Sequence, residues 1–225
     1  MSALPLSTLL TRLENNLRIV SGETGVFGTT AERTALLNEG AKKFVKATGI
    51  LQKSGNITSV DGTQEYDLLS NFSDYLRISK EGGVFYNTKK ITYRSLTQLA
   101  LKYGPDWQTM AEGTPEEYYI RGKRYLGLVT TPDTSSLTVK VYYVYKPTEM
   151  SAVTDYPFIP TTVFMEDYHE APLLYATWKL LIRGRQIQEA MSYRGEFFAM
   201  IKDCNGEEDE EATPTLVPDM SIYRS

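Results

Sequence analysis

Histidine and cysteine are almost absent from this chain: His169 and Cys204 are the only residues of their kinds among 225. A single cysteine cannot close an internal disulfide, so no disulfide framework substitutes for a core, and the reducing cytoplasm suits synthesis of the chain. Cys204 itself reads as an incidental thiol near a helix end. His169 has Glu166, Asp167 and Glu170 beside it, but a zinc site draws on several His or Cys ligands that the chain does not have. The simpler reading is a helix-start histidine satisfied by its neighbours. Long apolar runs are missing too. With 41% hydrophobic residues and a mean hydropathy of −0.32, no stretch approaches the roughly 18 apolar residues that cross a bilayer, and no membrane partner is expected. Residues 1–20 lack a basic start and a solid apolar centre, so no signal peptide is expected either.

Recognisable catalytic and cofactor spacings are equally scarce. Glu116 and Glu117 are adjacent; in a strand they point to opposite faces and cannot flank one glycosidic bond, which disfavours a glycosidase or peptidoglycan hydrolase. Gly82-Gly83 and the other glycines match neither a dinucleotide nor a phosphate-loop spacing. The expectation is a protein that is not an enzyme, with no catalytic residues, no cofactor and no metal. Residues 205–225 hold six acids and one base, a net −5, against −4 for the whole chain. Residues 1–204 are therefore close to neutral at +1. That body has no basic stripe of the kind that neutralises phosphates, so sequence-specific DNA binding is not expected.

What the chain does have is an order of periodicities. Leu6, Leu9, Leu10, Leu13, Leu17 and Val20 recur at helical spacing and predict a helix over residues 6–20. A glycine-rich loop follows around Val26 and Phe27, a candidate contact between subunits, with burial of Phe27 as the plainer reading. Thr30 is placed to cap a second helix whose face is Leu37, Ala41, Phe44 and Thr48, and Gly49 to end it. From Ile50 to Lys146 the period becomes alternating, with turn signals at Ser54-Gly-Asn, Asp61-Gly, Glu81-Gly-Gly, Arg121-Gly-Lys and Pro132-Asp. Six to eight short strands are expected, the clearest over Leu137–Tyr145, and a short helix over Ser95–Tyr103. Trp107 and Trp178 read as core anchors.

After a proline-bearing crossing, Leu173, Thr177, Leu180, Gly184, Ile187, Met191, Phe198 and Ile201 predict one long helix over residues 172–202. Neither N-terminal helix can bury its apolar face alone, so the two helical parts must meet. The predicted fold is α+β. A helical bundle forms from residues 1–49 and 163–204, carries an inserted antiparallel β-rich subdomain over 50–162, and ends in an extended C-terminal arm over 205–225.

That arm starts with the acidic run Glu207–Glu211, whose plainest reading is a solvated tail. Beyond it, Pro214, Leu216, Val217, Pro218, Met220, Ile222 and Tyr223 are too apolar for solubilisation alone. The prolines favour extended backbone and lower the entropy cost of docking. These seven residues are the candidate docking arm.

Several stretches together resemble the head-to-tail adaptor, or connector, proteins of tailed bacteriophages. They are Leu36–Ile50 leading into a first strand, Gly62–Leu68 with Phe72 after it, and Gly113–Ile120. The Thr131-Pro-Asp turn before Leu137–Pro147 and the run Tyr168–Ala176 complete the series. The resemblance implies a structural virion protein of the neck that assembles with itself as a dodecameric ring beneath the portal protein. Such a ring joins the portal to the tail or to further neck proteins and continues the channel through which DNA passes. In short-tailed phages the C-terminal segment of such proteins grips the portal ring, and here the matching positions are those of the candidate arm. A ring needs two different complementary surfaces on each subunit, and the 16 tyrosines suit interface cores as well as sheet faces. The alternatives are a carbohydrate- or receptor-binding module, which explains the aromatics but leaves the helices and arm idle, and a tail-completion protein of the virion.

Overall fold

A computed structural model describes residues 3–18, 26–158 and 163–206. Its helices are α1 (Leu6–Asn16), α2 (Thr30–Thr48), α3 (Leu68–Asn71), α4 (Leu96–Tyr103), α5 (Val163–Glu166), α6 (Ala171–Arg183) and α7 (Ile187–Cys204). Its strands are β1 (Gln52–Thr58), β2 (Glu65–Asp67), β3 (Tyr75–Ile78), β4 (Val84–Tyr86), β5 (Lys89–Tyr93), β6 (Glu117–Arg121), β7 (Tyr125–Leu128) and β8 (Thr138–Tyr145). The class is mixed α+β, with a curled sheet.

Local chemistry sets the helix ends. The Thr29 hydroxyl accepts the Glu32 N–H while the Glu32 carboxylate accepts the Thr29 N–H, a capping box that starts α2 one residue before the predicted cap at Thr30. Gly49, at φ +76, ends α2 in the left-handed conformation that glycine adopts without strain. Ser95 and Gln98 form a second capping box at α4.

The single helix predicted over 172–202 is in fact two. Gly184 caps α6, Arg185 takes a positive φ of 60, and the chain reverses into α7. An added Cβ on Gly184 would lie 2.8 Å from the Phe27 ring, so the break is also where that aromatic packs. The reversal re-phases α7 as well. Its buried residues are Ala190 and Phe197, while Ile187, Met191 and Phe198, counted in one face with Leu173 and Leu180 by spacing, point outward.

The sheet runs β1-β8-β4-β5-β6-β7-β2, with β3 also on β8. One pair departs from the expected antiparallel arrangement: β5 and β6 are parallel, with Tyr93 beside Tyr118. The connection between them, residues 94–116, carries α4 and a 3-10 turn at Trp107–Thr109, and parallel neighbours require a crossover of this length. Trp107 is buried there with Leu99, Tyr119 and Val129, as an anchor should be.

Two larger cores flank β8. Ile57, Leu68, Val84, Leu126, Val139 and Val141 lie in the sheet core, whereas Phe44, Val45, Leu51, Val144, Phe158 and Phe197 lie between the sheet and the helices. A third cluster joins α1 to α6 through Leu9, Leu13, Leu173 and Leu180. Within the helical part Arg33 is fully buried, and its guanidinium donates to Glu14 at 2.9 Å. Helices α2 and α6 meet at Gly40, where an added Cβ would lie 2.9 Å from Tyr175 Cβ and 3.0 Å from the Pro172 backbone. Gly40→Ala should therefore force the pair apart and lower stability by about 1–3 kcal/mol. Gly195→Ala, in the open on α7, should raise it by about 0.5–1 kcal/mol. Urea unfolding of the two variants, read side by side, checks both signs.

Candidate interaction surface

The side chains weighed by sequence for chemistry each make local contacts in the structure. His169 is buried; its Nδ1 accepts the backbone N–H of Leu4 at 3.0 Å, and its ring lies 5.6 Å from that of Phe158 and 6.0 Å from that of Tyr156. Nε2 has no hydrogen-bond partner among the described residues. Burial penalises the imidazolium and brings His169 down to about 4. The neighbouring Glu170 turns away to pair with Arg12. The histidine therefore tethers the start of the chain to the head of α6. Among the described residues no group of three or more His, Cys, Asp or Glu side chains is placed to hold a metal ion.

Glu116 and Glu117 diverge as strand alternation requires. Glu116 is exposed and pairs with Lys89 at 2.6 Å. Glu117 is buried and accepts from Lys102 Nζ at 2.8 Å, Arg94 Nε at 3.0 Å and Tyr103 Oη at 3.0 Å. Burial alone would raise its carboxyl, but those three donors outweigh it and hold the group below the usual range. The carboxylate fastens α4 to β6. Arg121 with Glu65 and Arg124 with Asp67 fasten β6 and the following turn to β2 in the same way.

Of the expected contact residues, Val26 is exposed and Phe27 packs into the helical core beside Gly184. The candidate docking arm, Pro214, Leu216, Val217, Pro218, Met220, Ile222 and Tyr223, lies outside the described residues. An apolar surface that sequence spacing had assigned to the core appears instead on α7. Ile187, Met191 and Phe198 are 50, 44 and 45% exposed along one face. Arg194 stands among them, its guanidinium 5.5 Å from the Phe198 ring and 5.8 Å from that of Trp178 on α6. Trp178 and Phe198 are 6.3 Å apart. Trp, Phe, Met and Arg are the residues enriched at protein–protein interface cores. Among the described residues no helix is long and apolar enough to cross a membrane.

The mixed α+β body thus holds several of its charged groups in internal pairs and presents an aromatic, Arg-bearing helical face. A family model described as SU10 adaptor protein matches residues 5–218, and the chain belongs to that family. It is thus an adaptor, a structural protein of the phage virion. Comparison with curated proteins finds no match.

The His169 environment generates a pH dependence. With the folded pKa near 4 and the unfolded value near 6.5, the unfolded chain takes up a proton first as pH falls. The histidine's contribution is complete above about pH 6.5 and is lost progressively toward pH 4, amounting to about 2–3 kcal/mol by pH 4.5. Urea unfolding at pH 7.5 and 4.5 should show this loss in the natural chain and a loss smaller by that amount in His169→Gln.

Proposed function

We propose that this adaptor assembles as a ring, dodecameric by analogy with head-to-tail connectors, beneath the portal at the capsid vertex. It links that vertex to the tail and continues the DNA channel. The observation that carries the reading is the family match over residues 5–218, nearly the whole chain. The α7 face supports it: an exposed aromatic, Met and Arg surface on a rigid helix is what one flank of a ring subunit would present to its neighbour. The helical part then forms the wall of the ring, and the arm bearing Leu216, Val217, Ile222 and Tyr223 reaches the portal. A DNA channel needs no base-reading surface, which agrees with a nearly neutral body. The carbohydrate- or receptor-binding alternative loses part of its motive, because Tyr66, Tyr86, Tyr119 and Tyr143 are buried in cores rather than displayed.

Electron microscopy of the purified protein mixed with portal rings tests the proposal directly. A second ring stacked on the portal is expected; rings that form only on tail tubes would point to tail completion, and no ring in either mixture would overturn the reading. Met191→Glu with Phe198→Glu should leave the melting temperature nearly unchanged, since both side chains are half-exposed, yet weaken self-association by about 100-fold or more. Sedimentation of the double variant measures this. Deleting residues 213–225 should likewise preserve the fold but abolish portal attachment, and the truncated chain binding portals normally would refute the docking role.

A further inference from the structure

Six consecutive residues, Tyr75 through Lys80, line a groove of about 530 Å3 together with Tyr93, Tyr118 and Ile120. Its interior is aromatic and aliphatic, with the Tyr93 and Tyr118 rings 5.6 Å apart. Burial pushes the Tyr75 and Tyr118 hydroxyls up to about 12, so both stay neutral. Among the described residues, every ionisable group with a full charge on its rim is a cation, Lys46, Arg77, Lys80 or Lys123, and none of those lining it is a carboxylate. None of the four forms an ion pair with a described residue; Arg77 spends its guanidinium on the Lys46 carbonyl at 2.8 Å and the Ala47 carbonyl at 3.5 Å, at the end of α2. Strand β3, part of this wall, pairs with β8 along one edge, and no described strand pairs with the other. Such an edge accepts an extended peptide.

A smaller cleft adjoins the groove and shares Arg77 and Lys80 with it; Asn205, just past the end of α7, lines that cleft, with Glu81 its one carboxylate among the described residues. The chain therefore leaves α7 beside the basic rim, and the next residues are Glu207, Glu208, Asp209, Glu210 and Glu211. Residues 207–216, extended, reach about 33 Å, enough to cross the rim and enter the groove. Thr215, Leu216 and Val217 lie between two prolines, a stretch whose length matches a four-residue strand and whose flanking prolines favour extended backbone.

We propose that this groove is the docking site of the chain's own segment 207–223, with the acids over Arg77 and Lys80 and Leu216, Val217 and Ile222 against Tyr93, Tyr118 and Ile120. The free subunit thereby covers its own apolar arm in place of the freely solvated tail that composition alone suggests. The pairing concerns the isolated chain and does not depend on portal capture.

The test is photocrosslinking of the full chain carrying p-benzoylphenylalanine in place of Ile222, at two widely separated protein concentrations. The expected products are crosslinks within one chain to residues 75–80, 93 or 118–123, at a yield independent of concentration. Lys80→Glu with Lys123→Glu should lower that yield by about fivefold, and added salt should lower it in the unaltered background. Should the double variant fail to fold, the salt series alone decides. Crosslinks elsewhere in the chain, crosslinks only between chains, or a yield indifferent to charge reversal and salt would each overturn the proposal.

Discussion

Strand β8 is the constraint on which the other elements depend. Along one edge it pairs with the whole of β1, from Gln52 opposite Val144 to Thr58 opposite Thr138. Along the other it holds β4 through residues 139–141 and β3 through 143–145. Alternation then divides its side chains: Val139, Val141 and Tyr143 enter the sheet core, whereas Val144 enters the core shared with the helices. A one-residue slip would exchange these sets, leaving valines outside both cores. Three strands and the seat of α2 on the sheet are thus positioned by one register.

The titratable groups are consistent with that mechanical role. Arg33 with Glu14 closes α2 on α1, Lys53 with Asp74 joins β1 to the start of β3, and Glu117 collects three donors from α4 and its approach. Each pairing consumes a carboxylate that would otherwise be available for chemistry. Exposed pairs such as Lys89 with Glu116 add little stability by themselves. The buried ones matter because losing one partner would strand a charge in a core.

Much of this could be read from the sequence, and the exceptions have physical causes. Leu37, Ala41 and Phe44 sit in the core as their spacing predicts, and the strand expected over Leu137–Tyr145 forms as Thr138–Tyr145 with Val139 and Val141 inward. The reversal at Gly184 was hidden because glycine fitted the helical spacing and nothing in the identity of Arg185 announces a positive φ. Once that turn re-phases α7, spacing alone cannot separate a core face from an exposed one. The parallel β5–β6 pair was equally hidden, since strand period is the same for either direction. The groove is assembled from residues near 46, 75–80, 93 and 118–123, and no local pattern links stretches so far apart.

Charge placement connects these observations. Residues 1–204 are nearly neutral, yet internal fastening distributes that neutrality unevenly: Glu14, Glu65, Asp67, Asp74, Glu116, Glu117 and Glu170 are all engaged by bases. The cations around the groove have no such partners among the described residues, and the densest run of carboxylates in the sequence is residues 207–211. A solvated tail would leave both fields uncompensated, each repelling its own kind at a range of about 10 Å. Segregation of this type disfavours non-specific clustering of like surfaces while leaving one complementary pairing available.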